Sequence, residues 1–382
     1  MPDFTIRTAL VHDWLNQLGG AEDVLAELVP LYADSPIFTS IYWRAKMPEA
    51  WRLWPIHTLW LDRLPGIYRH HQPYLPLYPL AFGGLDLSDY DVVISNKSGF
   101  CHGVKTGPNT LHVCYCLAPT RYVWQYESYV RRERVGGLVQ AALSPLISVL
   151  RRWDYAAAQR VTHFIAISTE VRERIKRFYQ RESVVIYPPV DTERFARAAS
   201  VDQVEDYYLV LSRLIPYKRI DLAVEACTRL GLPLIVAGSG RDRQRLETLA
   251  GPTVKFAGYV PDADLPSLMA RCKALIFPGL EDFGITPVQA QAAGRPVIAY
   301  RGGGALDTVI PGVSGELFEE PTLESLMAAL ESFDASHYSP TAMRTHAAKF
   351  DAEVFRRELT AFVAKAYQEF RARVTLPLTH LS

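Results

Sequence analysis

The chain has 382 residues, of which 49% are hydrophobic and 21% charged, so a folded protein with a sizeable core is expected. Its 41 basic and 41 acidic residues balance, which argues against a general nucleic-acid binder, since such proteins gain much of their affinity by neutralising phosphates. A length above roughly 250–300 residues favours two domains over one.

Along the chain, short apolar runs alternate with patterns typical of helices. Fully apolar strands that alternate with helices indicate parallel sheets covered on both faces, so we predict an α/β protein with two Rossmann-like, doubly wound domains facing across a cleft. The predicted strands are Thr8–His12, Val92–Ser95, His112–Tyr115, His163–Ile167, Val184–Tyr187, Tyr208–Leu211, Leu234–Ala237, Val254–Phe256, Ala274–Phe277 and Pro296–Ala299.

The break between the two halves is expected near Tyr187-Pro188-Pro189, followed by a charged linker at Ala196–Asp206. We therefore predict a first Rossmann-like domain over 1–195 and a second over 196–350. A long amphipathic helix from Ala352 to about Arg371 opens the final segment, 351–382, and is expected to cross back to the first domain. Ligands of such sheets bind where strands end, so the strand-to-helix turns are the places to look for a site.

The first turn runs from His12 to Glu22 and contains Gly19-Gly20 before a helix from about Ala21. Two glycines let backbone N–H groups approach an anion, and the helix dipole adds positive charge. A tight turn without a ligand explains the same residues equally well, and a polar residue at a strand end, such as His12 or Asp13, is often only a turn residue.

Two further turns follow strands in the second half. Arg213 and Lys218 lie in the turn after Leu211, and a guanidinium with a mobile ammonium suits a diphosphate, although solvated surface charge is the simpler interpretation of each alone. Arg219 is expected to be surface charge. The turn Ala237-Gly238-Ser239-Gly240 is either an ordinary turn or a support beneath a nucleotide.

The fourth turn, Phe277–Ala290, carries the most information. Thr286 is predicted to cap a helix with Pro287 at its first position, which places Glu281 in the preceding loop and Gln289 in the first helical turn. Gly284 removes a side chain where a phosphate would approach. A carboxylate near a helix N-terminus is also favourable without any ligand.

Taken together, these turns resemble family 4 of the retaining glycosyltransferases, which have the GT-B fold. The resemblance covers nearly the whole chain and is closest to bacterial polysaccharide and O-antigen mannosyltransferases. It rests on Gly19-Gly20-Ala21-Glu22, Arg213 with Lys218, Glu281-Asp282-Phe283-Gly284, Ala292–Ala299, and Pro119-x-Arg121-Tyr122-x-Trp124 within His112–Trp124.

The resemblance implies a role for each matching residue. Arg213, Lys218 and Glu281 would be catalytic: the cations would hold the donor diphosphate, and the carboxylate would bind hydroxyls of the donor sugar. His12, Asp13, Leu117 and Arg121 would lie on the acceptor or sugar side. The donor would be held by Gly19, Gly20, Gly238, Tyr259, Val260, Phe283, Gly284, Ile285 and Gln289.

Two positions depart from the family pattern. Gln289 stands where relatives have a second glutamate that binds the ribose, and a neutral acceptor is weaker than a carboxylate. Leu117 replaces a histidine that contacts the donor sugar and diphosphate. A GT-B protein that binds nucleotide or glycan without transfer is therefore an alternative, and a sugar-nucleotide epimerase or a phosphorylase of the same architecture is a more distant one.

The remaining signals concern metals, thiols and membranes. Asp89-Tyr90-Asp91 has the spacing of a metal-binding pair but leads into a strand, and the five cysteines contain no CxxC pair, so we expect no metal, no cofactor and reduced thiols. No signal peptide or membrane span is predicted. Arg131–Arg134 followed by Val135–Leu150 indicates either an interfacial helix or a packed helix with a basic end. The aromatic segment 42–80 is either an acceptor-side or membrane-facing surface, or a satellite core.

The resemblance implies a cytoplasmic, metal-independent retaining hexosyltransferase with an acceptor-side domain over 1–195 and a nucleotide-sugar domain over 196–350. Peripheral contact with the inner leaflet of the membrane is a further expectation. The donor is expected to be GDP-mannose or another nucleoside-diphosphate hexose. The acceptor is expected to be a lipid-linked or oligosaccharide hydroxyl in polysaccharide biosynthesis, with no nucleic-acid partner.

Overall fold

The computed structural model describes residues 6–126, 137–198 and 204–375. The chain divides into two compact units, Met1–Tyr187 with Phe355–Ser382, and Pro188–Val354. Each unit contains one parallel sheet flanked by helices, so the doubly wound α/β class predicted from the sequence is confirmed.

The sheet of the first unit has seven parallel strands in the order β3-β2-β1-β4-β5-β6-β7. Strand β1 has the predicted bounds and is buried along its whole length, as expected for a central strand covered on both faces. The strands are β1 Thr8–His12, β2 Ile37–Thr39, β3 Ile56–Thr58, β4 Val92–Lys97, β5 Leu111–Cys116, β6 His163–Ala166 and β7 Ser183–Val185.

The helices of the first unit cover this sheet. α1 begins at Gly20, one residue before the expected start, with Gly19 as its N-cap. The α-helices are α1 Gly20–Leu31, α2 Tyr78–Gly84, α3 Arg121–Trp124, α4 Gly137–Arg160 and α5 Thr169–Tyr179, with 3₁₀ turns at Arg44–Lys46, Glu49–Leu53, Trp60–Arg63, Gln72–Leu77 and Cys101–Gly103.

The aromatic segment 42–80 contributes to the core of the first unit. Leu61, Ile67 and Tyr78 are buried with the strand residues Val11 and Val93 in one apolar cluster. Leu53, in contrast, is 89% exposed. The segment is therefore partly core and partly surface, and neither of the two interpretations of its sequence describes it alone.

The second unit has a six-stranded parallel sheet in the order β10-β9-β8-β11-β12-β13. Its core groups strand residues such as Val210 and Ile276 with helix residues such as Val224 and Leu326. The strands are β8 Tyr208–Leu211, β9 Leu234–Ala237, β10 Val254–Gly258, β11 Ala274–Phe277, β12 Val297–Tyr300 and β13 Gly315–Phe318. The helices are α6 Thr192–Ala198, α7 Ile220–Leu230, α8 Arg243–Leu249, α9 Leu265–Arg271, α10 Ile285–Ala292, α11 Ala305–Thr308, α12 Leu323–Ser332 and α13 Pro340–Ala347, with 3₁₀ turns at Pro216–Lys218, Ala335–His337 and Ala348–Phe350.

The second unit begins at Pro188, at the break expected near Tyr187-Pro188-Pro189 and eight residues before the domain start predicted at 196. The reason is a short parallel bridge between Val190 and Asp351. The Val190 N–H donates to the Phe350 carbonyl over 3.0 Å, and the Ala352 N–H donates to the Val190 carbonyl over 3.1 Å. These bonds tie the segment before the charged linker to the end of the second unit.

The C-terminal helix α14, Ala352–Thr375, belongs to the first unit from Phe355 onward. Phe355 is buried edge-on against Tyr115 of β5, with ring centroids 5.5 Å apart. Arg356 forms an ion pair with Glu27 of α1. These contacts explain why the last helix continues the first unit.

Within the described residues, no helix combines the length and the apolar character required to span a bilayer. The basic run Arg131–Arg134 lies outside the described residues, so its prediction as part of an interfacial helix is not tested.

Candidate functional site

The turns that follow the strands of the second sheet gather half of the predicted site residues, eight of sixteen, at its carboxyl edge. We call them the carboxyl-edge turns. They are Ser212–Arg219 after β8, Gly238–Gly240 after β9, Tyr259–Val260 after β10, Pro278–Gly284 after β11 and Arg301–Gly304 after β12. This edge is where open α/β sheets bind ligands.

Lys218 and Glu281 meet in these turns. The Lys218 ammonium forms an ion pair with the Glu281 carboxylate, and the two side chains are 12% and 20% exposed. They come together because β8 and β11 are neighbouring parallel strands whose carboxyl ends lie at the same edge. A cation and a carboxylate thus share one partly accessible position.

Arg213 and Arg219 lie in the same turn but differ in surroundings. Arg213 is exposed, whereas Arg219 pairs with Asp221 at 3.3 Å and donates to the Pro321 carbonyl at 3.1 Å. Arg219 also has a positive φ of 52°, at the N-cap of α7. Arg219 therefore stabilises the turn, and Arg213 remains accessible to a ligand.

Three glycines hold the Lys218 and Glu281 backbones close to neighbouring turns. A Cβ on Gly279 would lie 2.7 Å from the Lys218 carbonyl oxygen, and one on Gly303 would lie 2.2 Å from the Glu281 carbonyl oxygen. The Gly304 N–H donates to that same Glu281 carbonyl at 2.8 Å. Sequence reasoning missed this support, although the run Gly302-Gly303-Gly304 is visible in the sequence.

The turns after β9 and β10 are joined by a backbone hydrogen bond, and a glycine again allows a close approach of the backbone. The Gly238 N–H donates to the Gly258 carbonyl at 2.6 Å, and a Cβ on Gly238 would lie 1.9 Å from the Ser212 carbonyl oxygen. Next to them the side chain of Tyr259 is 74% exposed, and Val260 is half-buried. The structure thus leaves an aromatic ring available at this edge of the sheet.

The helix after β11 starts earlier than the sequence predicted. α10 begins at Ile285 with Gly284 as N-cap at φ 96°, so Thr286 is not the cap and Pro287 is not the first helical residue. Gly284 can take this left-handed conformation because it lacks a Cβ. Gln289 consequently lies in the second turn of the helix and is half-buried.

Phe283 differs from its predicted neighbours in the nucleotide site. Its side chain is 4% exposed and lies against Phe350, with ring centroids 5.6 Å apart. Only the backbone of Phe283 is therefore placed to contact a ligand. The side chain of Ile285 is half-buried.

In the first unit, the carboxylate of Asp13 is committed to the protein backbone. One oxygen accepts the N–H groups of Ser98 and Gly99, both at 2.6 Å, and the other accepts those of Phe100 at 2.7 Å and Cys101 at 2.8 Å. The residue is 1% exposed. These bonds commit the carboxylate to the loop after β4, and the assignment of Asp13 to an acceptor or sugar contact stays a prediction.

His12 is buried in the same region. Its Nδ1 lies 3.2 Å from the Asn96 amide, and its Nε2 lies 3.5 Å from the Glu22 carboxylate. With 1% exposure, its side chain links β1, β4 and α1 and does not face solvent. The expected contact of His12 with a sugar stays a prediction. Gly19, in contrast, is exposed, and Gly20 is half-buried.

The Leu117–Trp124 segment is anchored by a buried polar group. Lys97, fully buried, donates to the Ala118 carbonyl at 3.0 Å and to the Thr120 hydroxyl at 3.2 Å. Burial by itself lowers the pKa of Lys97, but the nearby Asp154 carboxylate raises it overall. Leu117 is 9% exposed, and Arg121 is half-buried at the start of α3.

Asp154 completes this group. It accepts from the Thr120 hydroxyl at 2.9 Å, the Trp124 indole at 2.7 Å and the Tyr179 hydroxyl at 2.7 Å. Burial raises the pKa of the Asp154 carboxyl.

All five cysteines are buried free thiols. Among the described residues, no three His, Cys, Asp or Glu side chains converge as a metal site would require.

Two family models match the chain in succession. Residues 18–194 match "Glycosyltransferase Family 4", and residues 191–350 match "Glycosyl transferases group 1". The boundary between the models lies within a few residues of the boundary between the two units.

Curated relatives are similar over parts of their length. A GDP-mannose-dependent alpha-mannosyltransferase of Mycolicibacterium smegmatis is 34% identical over 31% of this chain and 32% of its own length. An uncharacterised glycosyltransferase of Methanocaldococcus jannaschii is 26% identical over 61% of this chain and 63% of its own. The chain thus spans less than two thirds of the length of these relatives.

Solved structures share the whole fold at low identity. Anabaena HepE in complex with UDP superposes with a TM-score of 0.69 at 18% identity, covering 94% of this chain and 100% of that one. Sucrose-phosphate synthase of Thermosynechococcus elongatus gives 0.69 at 17% identity, covering 95% and 100%. With two Rossmann-like units and both family models matched, the chain belongs to family 4 of the glycosyltransferases and has the GT-B fold.

Proposed function

We propose that the protein transfers a hexosyl group, mannosyl from GDP-mannose, to a glycan or lipid-linked hydroxyl with retention of configuration and without a metal ion. The observation that carries the proposal is the contact between Lys218 and Glu281 at the carboxyl edge of the second sheet. Relatives described as GDP-mannose-dependent mannosyltransferases support the donor. A similar fold solved with UDP-glucose supports a sugar nucleotide in general.

The cations account for the departure of the leaving group. As the bond between the sugar C1 and the phosphate oxygen breaks, negative charge grows on the nucleoside diphosphate. Lys218 and the exposed Arg213 would stabilise that charge, as preorganised cations do when they are aimed at developing charge. This arrangement makes a metal ion unnecessary in the proposed reaction.

Retention follows if the acceptor attacks on the face from which the diphosphate leaves. The acceptor oxygen forms the new bond to C1, and its proton passes to the departing phosphate oxygen. This step needs no nucleophile from the protein. Glu281 would orient the sugar by accepting hydrogen bonds from its hydroxyls, and the exposed Tyr259 offers a ring on which the base can stack.

An acceptor for such transfer would be part of a polysaccharide under assembly. If it is lipid-linked, the enzyme would work at the cytoplasmic face of a membrane. The basic run Arg131–Arg134 stays a prediction for that contact, since it lies outside the described residues.

The donor is tested by scanning calorimetry with GDP, UDP and ADP and with their hexose conjugates. A ligand present at 100 times its Kd stabilises the folded state by about 2.7 kcal/mol. For a unit of this size that corresponds to a rise in Tm of roughly 5–10 °C. We expect GDP-mannose to raise the Tm of the unit that binds it, and UDP and ADP sugars to do so less.

Transfer is tested with Lys218→Met and Glu281→Gln, using radiolabelled GDP-mannose and a membrane extract as acceptor source. Lys218→Met should lower kcat by about 10²–10³, because a transition-state contact is lost. Glu281→Gln should lower transfer while GDP still binds, since the carboxylate serves the sugar and not the phosphates. Lys273→Met is the matched control, because Lys273 also pairs with a carboxylate, Asp206 at 3.6 Å, but precedes β11.

Two results would contradict the proposal. A wild-type kcat in Lys218→Met would show that Lys218 does not stabilise the leaving diphosphate. GDP-mannose binding without transfer to any acceptor, restored by Leu117→His, would instead favour a protein that binds nucleotide without transferring sugar.

A further inference from the structure

A pocket of about 340 Å³ lies in the first unit against the edge strand β3, which contributes Ile56 and Thr58 to its lining. None of its residues belongs to the carboxyl-edge turns. Its volume falls at the lower end of the range for small-molecule sites. The lining residues are Tyr42, Trp43, Arg44, Ala45, Ile56, Thr58, Asp62 and Tyr68.

Aromatic rings form much of this lining. Trp43 and Tyr68 stack with centroids 5.9 Å apart and an interplanar angle of 19°, and both are half-buried. The Arg44 guanidinium lies 5.6 Å from the centroid of the Tyr42 ring. Rings held in this way present flat apolar surface without further loss of side-chain entropy.

A carboxylate fixes the pocket from one side. One oxygen of Asp62 accepts the Tyr42 N–H at 2.9 Å, and the other accepts the Tyr68 hydroxyl at 3.2 Å. An ionised carboxylate has about four acceptor positions, so each oxygen can accept a further hydrogen bond. Asp62 is half-buried and lines the pocket, which places this remaining acceptor capacity beside the aromatic rings.

Tyr42 is a buried part of the lining. The residue is 7% exposed, and its backbone N–H is held by the Asp62 carboxylate. Its ring is therefore a fixed wall of the pocket.

The pocket adjoins the turn after β1. The Leu15 N–H donates to the Ile41 carbonyl at 2.8 Å, and the Trp43 N–H donates to the Leu15 carbonyl at 2.8 Å. The Asn16 amide reaches the Tyr68 carbonyl at 3.4 Å. The pocket is therefore tied to the segment in which the sequence placed acceptor contacts, and in which His12 and Asp13 proved to be buried.

We propose that this pocket binds one pyranose unit of the glycan acceptor, an inference that rests on the proposed transferase function. A pyranose has a face of C–H groups that suits aromatic rings and a rim of hydroxyls that suits a carboxylate and a guanidinium. Arg44 and Asp62 are the charged residues of the lining and have opposite signs, which suits the hydroxyls of a neutral polar occupant. A wholly apolar occupant would leave the polar lining unpaired.

Saturation-transfer NMR tests the pocket directly, with methyl α-mannopyranoside, methyl α-glucopyranoside and methyl β-galactopyranoside as probes. At least one probe should receive saturation from the wild-type protein. Trp43→Ala should weaken its binding by about tenfold or more, the equivalent of one lost aromatic contact. Arg44→Ala, a change at an exposed position, should weaken it several-fold without affecting the fold.

Trp60→Ala is the matched control, because Trp60 is 47% exposed in the same unit and does not line the pocket. It should bind the probe as the wild-type protein does.

The proposal is overturned if no pyranoside receives saturation, or if Trp43→Ala and Arg44→Ala leave the response unchanged. It is also overturned if guanosine or adenosine, run alongside, binds in a manner sensitive to Trp43→Ala while the pyranosides do not. Donor calorimetry on the same variants separates the two failures. Absent pyranoside binding with intact GDP-mannose binding would contradict the assignment of the pocket. Absent GDP-mannose binding would contradict the proposed transferase function.

Discussion

Replacing Asp13 by asparagine tests how much of the first unit depends on one buried carboxylate. Asp13 accepts four backbone N–H groups at 2.6–2.8 Å, two on each oxygen. Asparagine offers one oxygen and one NH₂ group, so in either amide orientation two of those N–H groups face a donor. Each buried N–H left unpaired costs about 1–3 kcal/mol, and the two remaining bonds lose their charge. We expect the free energy of unfolding of the first unit to fall by about 3–5 kcal/mol.

The protein provides its own probe for this measurement. All seven tryptophans lie in the first unit, so their fluorescence in urea follows that unit alone. Asp86→Asn is the control, because Asp86 is exposed and accepts the Ser88 N–H at 3.0 Å, and its urea midpoint should stay close to wild type. A loss of less than about 1 kcal/mol in Asp13→Asn would refute the reasoning, since it would mean that the loop after β4 satisfies its N–H groups without this carboxylate.

Two other predictions concern the support of Lys218 and the response to acid. Gly279→Ala should abolish most of the GDP-dependent rise in Tm, because the new Cβ would lie 2.7 Å from the Lys218 carbonyl oxygen, whereas Gly84→Ala, with open space around it, should not. Burial, together with Arg160, lowers the pKa of His112 to about 3, so the folded state holds this imidazole neutral and stability should decline as pH falls from 6.5 towards 3. Between pH 7 and pH 5 its contribution is about 2 kcal/mol, measurable by urea unfolding followed by tryptophan fluorescence, and His112→Gln should flatten that dependence.

The central strands were predictable because burial on both faces leaves a continuous apolar run. Thr8–His12, Tyr208–Leu211, Leu234–Ala237 and Ala274–Phe277 have the bounds expected from the sequence. The strands β3, at the edge of the first sheet, and β2 beside it have only three residues each. Runs this short have no detectable period, and their pairing depends on neighbours elsewhere in the chain.

The chemistry of the second-unit turns was predictable for a different reason. Glycines and charged residues directly after apolar runs indicate strand-to-helix turns, which brought Lys218 and Glu281 into consideration. Their direct contact depends on the order of strands in the sheet, which places β8 beside β11, and no local pattern encodes that order. The same limit explains Asp13, whose hydrogen-bond partners follow β4 and could not be assigned from its own surroundings in the sequence.

The contact between Lys218 and Glu281 has a consequence for the choice of donor in the proposed reaction. In the free protein the carboxylate holds the ammonium at the edge of the sheet, so an incoming diphosphate must take this cation from Glu281. The Glu281 carboxylate would then lie beside the negative charge of the diphosphate. This arrangement becomes favourable only if other hydrogen-bond donors reach the carboxylate. The hydroxyls of a sugar are such donors, whereas a nucleoside diphosphate alone has none at this point. The complete sugar nucleotide should therefore gain more from this site than its two parts do separately, and the pair that keeps the free site ordered would also select for a donor that carries its sugar.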